Sequence, residues 1–341
     1  MKFNQRVSVG RHVIGEGCPV FLIAEAGLSH FGSEEKAFQL VDLAHAAGAD
    51  AVKFQIFDID EMYVSSCTQW RDRLAPRQLN FEVFRRVKKY CEKLGIIFFA
   101  TAHDDYSLDF LNKMDVALYK VGSGEVRNWG YIKKVASIGK PVILSVGMYD
   151  FEEIQKVVEF FQEARNPNLI ILHCVTDYPV NPKEVALHNI AELSERFGVL
   201  SGYSDHTEGF HIPLASVVAG ARVIEKHITL EYDIPNAQDW KVSCGPDNLK
   251  HFVDQVRDVE LSLSRRTDGP TAREIENSSW ASKSVVLTSN LIAGEVILEN
   301  HLGTKRPGSG ICPSEINNVV GKRLIANANA DTILTWEMLT S

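Results

Sequence analysis

Val199-Leu200-Ser201-Gly202-Tyr203-Ser204-Asp205-His206-Thr207 and Arg222-Val223-Ile224-Glu225-Lys226-His227 decide the fold of this chain. Each segment opens apolar and ends in polar and ionisable residues, and the stretch between them is long enough for a helix. As parallel strands joined by a crossover, they bring His206 and His227 out at the same end of one sheet. Two imidazoles at one rim, with Asp205, Glu225 and Lys226 beside them, point to a metal site rather than to two separate ring–carbonyl hydrogen bonds.

Working outward, similar runs recur about every 25–40 residues, which is the spacing of strands separated by helices. They cover residues 21–25, 51–55, 96–101, 117–121, 141–145, 169–174, 199–203 and 222–227. Between them lie segments of helical period. One is 34–47, with Ala37, Leu40, Val41 and Ala44 on one face; another is 151–164, which opens with Glu152 and Glu153. The strands are too apolar to have a solvated face, so the pattern predicts an α/β fold with a buried parallel sheet closed into a (β/α)8 barrel. An open doubly wound sheet would need a glycine-rich phosphate turn after its first strand, and Ala26-Gly27-Leu28-Ser29 does not supply one. Residues 3–20 alternate around Gly10, Gly15 and Gly17 and are expected to form a hairpin that plugs the fold.

A barrel carries its chemistry at the C-terminal ends of its strands, and there the sequence places one polar group after another. In chain order they are Glu25; Lys53 and Gln55; Thr101 and His103; Lys120, Ser123 and Glu125; Ser145; His173, Thr176 and Tyr178; Ser204 and His206; Glu225 and His227. Lys53 and Lys120 are the most informative, because an ammonium inside an apolar strand is costly unless an anion meets it. With hydroxyls on Thr101, Ser123 and Ser145, and close backbone approach at Gly122 and Gly124, they predict a cradle for phosphate or carboxylate.

With 341 residues and 45% hydrophobic content the chain can bury a large core. Its formal charge of −8 and pI near 5.8, without a basic cluster, argue against nucleic acid or an anionic membrane as partner. Neither a signal peptide nor a membrane-length apolar run is evident, so a cytoplasmic location is expected. The six cysteines are scattered and show no Cys-x-x-Cys spacing, as expected of reduced core thiols. Residues 1–264 are assigned to the barrel with its hairpin, 265–283 to a polar linker, and 284–341 to a small, mostly β domain in which 284–287 and 292–297 alternate. So small a core is expected to pack on the barrel or on another subunit.

These residues resemble a known family, the sialic acid (N-acetylneuraminate) synthases, which join a barrel to a small antifreeze-like, or SAF, domain. The resemblance is carried by Ile23-Ala24-Glu25-Ala26-Gly27, Ala49-Asp50-Ala51-Val52-Lys53-Phe54-Gln55, Tyr119-Lys120-Val121-Gly122-Ser123-Gly124-Glu125, Leu172-His173-Cys174 with Tyr178-Pro179, and the two histidine segments. Lys305-Arg306-Pro307-Gly308-Ser309-Gly310-Ile311 is similar to the small domain's own motif. The resemblance implies metal-assisted condensation of phosphoenolpyruvate with an N-acylated amino sugar such as N-acetylmannosamine, giving a nonulosonic acid and phosphate. It implies metal ligation, by manganese or magnesium, on His206 and His227. Phosphoenolpyruvate contacts fall on Lys53, Thr101, Lys120, Ser123, Ser145 and Ser204, and sugar contacts on Glu25, Gln55, Tyr178 and Asp239. Arg306 is implied to reach the sugar from the partner chain of a domain-swapped homodimer, and Glu25, Glu125 and Glu225 are the implied catalytic carboxylates.

The chain departs from the family pattern at Ser29, Phe31, Thr176, Trp240 and the Ala102-His103 pair, all expected on the sugar side. The resemblance therefore fixes the reaction more narrowly than the sugar, and legionaminate, pseudaminate or spore-coat polysaccharide synthases fit the same motifs. Two readings of other kinds are a Schiff-base aldolase using Lys53 or Lys120, and a carbohydrate-binding protein without catalysis.

Overall fold

A computed structural model describes residues 1–235, 237–265 and 268–340. Arg266, assigned above to the linker, lies outside the described residues. The chain divides into two compact units, Met1–Ser264 and Arg265–Ser341.

In the first unit, β1 (Arg6–Val9) and β2 (His12–Gly15) form an antiparallel hairpin. Eight strands follow: β3 (Phe21–Gly27), β4 (Ala51–Ile56), β5 (Ile97–Ala102), β6 (Tyr119–Val121), β7 (Val142–Ser145), β8 (Leu169–Cys174), β9 (Leu200–Asp205) and β10 (Val223–His227). They close into a barrel in chain order, with β10 returning to pair with β3 and every pairing parallel. The expected strands are all present, with ends that differ by at most two residues. The helices at 34–47 and 151–163 also form where their period places them. Each starts on a capped turn: Ser33 accepts from Lys36 N, and Asp150 and Glu153 make a reciprocal capping box.

Alternation along each strand explains both the core and the site. Leu22 and Ala24, Val52 and Phe54, Tyr119 and Val121 face outward and pack with the helices. The opposite set, Phe21, Ile23, Ala51, Phe99, Leu118, Ile143, Ile170, Leu172, Leu200 and Val223, fills the barrel. Val7, Val9 and Ile14 of the hairpin join that inner cluster. Asn4 N donates to Pro167 O at 2.9 Å and Gln5 Nε2 to Gly198 O at 2.9 Å, both just before strands begin. The hairpin thus closes the N-terminal end of the barrel, and chemistry is left to the other end. At Gly202 on β9 a Cβ would lie 2.3 Å from Val223 O and 2.7 Å from Leu172 Cδ2, so only glycine lets β9 and β10 approach as they do.

The second unit has its own core of Val285, Leu287, Leu291, Ile297, Ile311, Val319, Leu324, Ala328, Leu334 and Leu339. β11 (Ser284–Leu287) pairs antiparallel with β12 (Leu302–Lys305). Residues 292–297 do not form the expected strand. Gly294, at φ +81°, turns the chain, and isolated bridges Leu291–Ala328 and Val296–Arg323 replace a ladder. The stretch read as a linker holds a helix, Ala272–Ala281, closed by a Thr271/Glu274 capping box, and Ser279 O accepts from Gly308 N of the same unit. No described helix is long and apolar enough to cross a membrane.

Candidate active site

The inward-facing set changes character along the barrel axis. Toward the C-terminal ends the pattern Phe21-x-Ile23 continues as Glu25, Ala51 as Lys53 and Gln55, Phe99 as Thr101 and His103, Leu118 as Lys120, Ile143 as Ser145, and Val223 as Glu225 and His227. One period-2 face is thus apolar at the closed end and polar at the open end, where it lines a cleft of about 330 Å³. Of the residues expected at the site, Glu25, Lys53, Gln55, Thr101, Lys120 and Ser123 line this cleft, as do Ser145, Tyr178, Ser204, His206, Glu225, His227 and Asp239.

Two do not. Glu125 follows Ser123 in a short 3₁₀ turn, and its carboxylate, half-buried, accepts from Asn128 Nδ2 at 2.7 Å instead of lining the cleft. The turn carries the chain away from the rim two residues after Ser123, which a strand-end reading of the sequence does not anticipate. Arg306, expected from a partner chain, is exposed on the second unit.

At the floor, two lysines and two glutamates interleave. Lys53 Nζ lies 2.8 Å from Glu25 Oε2 and 3.6 Å from Glu225 Oε2, and Lys120 Nζ lies 3.6 Å from Glu225 Oε1. All four side chains are at most 5% exposed. Lys53 donates to Thr101 Oγ1 at 3.1 Å, Lys120 to Ser145 Oγ at 2.8 Å, Ser204 Oγ to Glu225 Oε1 at 2.8 Å and Gln55 Nε2 to Glu25 Oε1 at 2.9 Å. Burial works against the charge on Lys53, but Glu225 and Glu25 outweigh it and raise its pKa. For Lys120 burial wins over Glu225, aided by Lys53, and the pKa falls. Burial also opposes ionisation of Glu225, yet Lys120, Lys53, the Ser204 hydroxyl and His227 pull its pKa down to about 2. The floor is therefore a lattice of alternating lysines and carboxylates, suited to hold an anion on its lysines while the carboxylates face positive charge.

Beside it, the rings of His206 and His227 lie 5.4 Å apart, with Tyr178 at 4.0 Å and 5.9 Å from them. His206 Nδ1 donates to Val175 O at 2.7 Å, which leaves its Nε2 with the lone pair. His227 Nδ1 is buried without a hydrogen-bond partner. An oriented imidazole and an orphaned ring nitrogen this close fit a divalent cation. No third His, Cys, Asp or Glu completes the group among the described residues, so the donor set is that of an open site with further positions for oxygen ligands.

The two histidines are held from behind. Asp205 and Lys226, the residues preceding them, face each other in register between β9 and β10 and form a buried ion pair. Lys226 Nζ also donates to Thr207 O at 2.8 Å, and Asp205 Oδ1 accepts from Thr207 N and Oγ1 at 3.1 and 2.8 Å. Lys226→Met strands the Asp205 carboxylate, with an expected loss of about 3–5 kcal/mol in chemical denaturation. It should also weaken manganese binding by roughly 10–100-fold, as loss of a ligand-orienting group does. Unaltered manganese affinity in a destabilised variant would show that the pair supports the strands and not the imidazoles.

The sequence reading left out Trp70, Arg73 and Arg77, which line the cleft from the helix Thr68–Leu74 and the 3₁₀ turn Ala75–Arg77. The cluster of Arg71, Arg73 and Arg77 around Trp70 was the available signal. Arg73 stands over the Trp70 ring at 5.2 Å and Arg77 over Phe31 at 4.8 Å. His103, Cys174, Thr176 and Gln238 also line the cleft.

Comparison with known proteins follows the same division. Residues 40–268 match the NeuB family and residues 282–340 the SAF domain. The chain is 35% identical to N,N'-diacetyllegionaminic acid synthase of Legionella pneumophila, covering 95% of both chains. It is 31% identical to N-acetylneuraminate-9-phosphate synthase of Homo sapiens, over 99% of this chain and 98% of that one. Among solved structures, the N-acetylneuraminic acid (sialic acid) synthetase of Leptospira borgpetersenii, in complex with citrate, superposes with a TM-score of 0.74 at 33% identity, covering 81% of this chain and 96% of that chain.

Proposed function

The chain belongs to the NeuB family, and from that premise we propose that it condenses phosphoenolpyruvate with an N-acylated amino sugar to give a nonulosonic acid and inorganic phosphate. The observation that carries this reading is the buried Lys53–Glu25–Glu225–Lys120 lattice opening beside the His206–His227 pair in one cleft. Phosphoenolpyruvate needs cations and hydroxyls; the floor offers both, with Lys53, Lys120, Thr101, Ser123, Ser145 and Ser204.

The reaction joins C3 of phosphoenolpyruvate to the aldehyde carbon of the open sugar, and the aldehyde oxygen takes up a proton. Water then adds at C2, which carries positive charge, and phosphate departs with the bridging oxygen. A divalent cation, manganese or magnesium, on His206 and His227 would polarise the aldehyde oxygen. Glu225, ionised and within the cleft, faces the cationic C2 and stabilises it. Glu25, oriented by Gln55, rather than Glu125, holds the attacking water and takes its proton. Tyr178, Gln55 and Asp239 face the sugar, and Arg306 of a partner chain completes that end in a domain-swapped homodimer.

Phosphate release from phosphoenolpyruvate with manganese tests the reading across N-acetylmannosamine, its 6-phosphate and the 2,4-diacetamido hexoses. Release that requires one of these sugars is expected; none with any of them in a folded, manganese-binding protein contradicts it. Lys120, with its lowered pKa, is the lysine a Schiff-base aldolase would use. Activity that survives chelators, with an adduct trapped by borohydride, would favour that chemistry instead.

A further inference from the structure

His103 follows β5 and continues its ladder, with its backbone N donating to Ile56 O at 3.1 Å. It therefore stands on the same face as Phe99 and Thr101, the face that turns from barrel core to cleft floor. Its side chain lines the cleft with Lys53 and Lys120, and its Nε2 is buried without a hydrogen-bond partner. An orphaned polar nitrogen at this depth carries an uncompensated desolvation cost unless something docks against it. The sequence placed it on the sugar side, but in the structure it lies within reach of the Lys53 and Lys120 charges, and no role given above uses its Nε2.

Building on the reading of this floor as the phosphoenolpyruvate site, we infer that His103 is a neutral hydrogen-bond donor to the anionic end of phosphoenolpyruvate, its Nε2–H directed at a phosphate or carboxylate oxygen. The ligand's oxygens accept only, so the proton sits on Nε2 in the bound state. Burial, then Lys53 and Lys120, push the imidazole pKa down to about 4, so at neutral pH the ring adds a donor without adding charge. The lysines already balance Glu25 and Glu225. A neutral donor beside them strengthens the hold on the anion without repelling either ammonium.

Two substitutions of similar size separate the donor from the space it fills. His103→Leu removes the N–H and is expected to raise KM for phosphoenolpyruvate on the order of tenfold, and Kd from calorimetry equally. Its kcat should stay within about twofold and KM for the sugar should not move. His103→Gln places an amide N–H where the imidazole Nε2–H stood and should recover most of the affinity. Affinity for phosphoenolpyruvate unchanged in His103→Leu, or a loss confined to the sugar, overturns the inference. So does equal loss in the Leu and Gln variants. A measurement on the unaltered chain stands if either variant fails to fold: in ¹⁵N-histidine spectra, saturating phosphoenolpyruvate should bring the His103 Nε2–H into slow exchange with water. No change at His103 in a protein that binds phosphoenolpyruvate overturns the inference alone. No binding of phosphoenolpyruvate to the unaltered chain overturns the site reading and this inference with it.

Discussion

Replacing His227 with alanine is expected to lower kcat/KM by about 10³-fold or more, equivalent to about 4 kcal/mol of transition-state stabilisation. The same change should leave the melting temperature unchanged or slightly higher. The two effects separate because His227 does nothing for folding with its buried ring nitrogen: Nδ1 has no partner in the folded chain. Removing it relieves an unmet polar group at the cost of a small void. Manganese affinity should fall together with activity. Activity at the level of the unaltered chain would refute ligation by His227, and a collapse of stability would recast the residue as structural.

Lys53→Ala should abolish turnover, because it removes the ammonium paired with both Glu25 and Glu225 and leaves two buried carboxylates facing the bound anion. Arg306→Ala, on the second unit, should impair use of the sugar more than of phosphoenolpyruvate. If partner chains exchange their second units, mixing the two variants creates one complete site in each mixed dimer. Random assortment of equal amounts then makes about a quarter of all sites complete, a gain in activity above that of the Arg306→Ala chains alone. No recovery after unfolding and co-refolding would place a complete site within one chain.

Most of this architecture was legible because two periodicities carried it. Strands with a buried outer face and a buried inner face read as short apolar runs, and the inner set is interrupted by Lys53, Lys120 and Glu225, where only a functional site tolerates charge. The helices announced themselves through faces such as Ala37-Leu40-Val41-Ala44 and through the acidic opening Glu152-Glu153. What was not legible depends on departures from those periods. Glu125 leaves the rim because a 3₁₀ turn advances the chain by a different angle from a strand. Trp70, Arg73 and Arg77 sit in short helices between β4 and β5 whose faces are set by the cleft they line, not by the core, so no apolar stripe marks them. The alternation of 292–297 imitates a strand, but Gly294 turns there. His103 was visible as a strand-end polar residue; its significance lies in an unmet Nε2, which only packing reveals.

The central claim, condensation with C–O cleavage at phosphoenolpyruvate, is tested most directly with phosphoenolpyruvate carrying ¹⁸O at the bridging position. Turnover with the accepted amino sugar and manganese should deliver the label to inorganic phosphate, with oxygen from water at C2 of the sugar acid. Label retained in the organic product, or phosphate released without the sugar, would contradict the account.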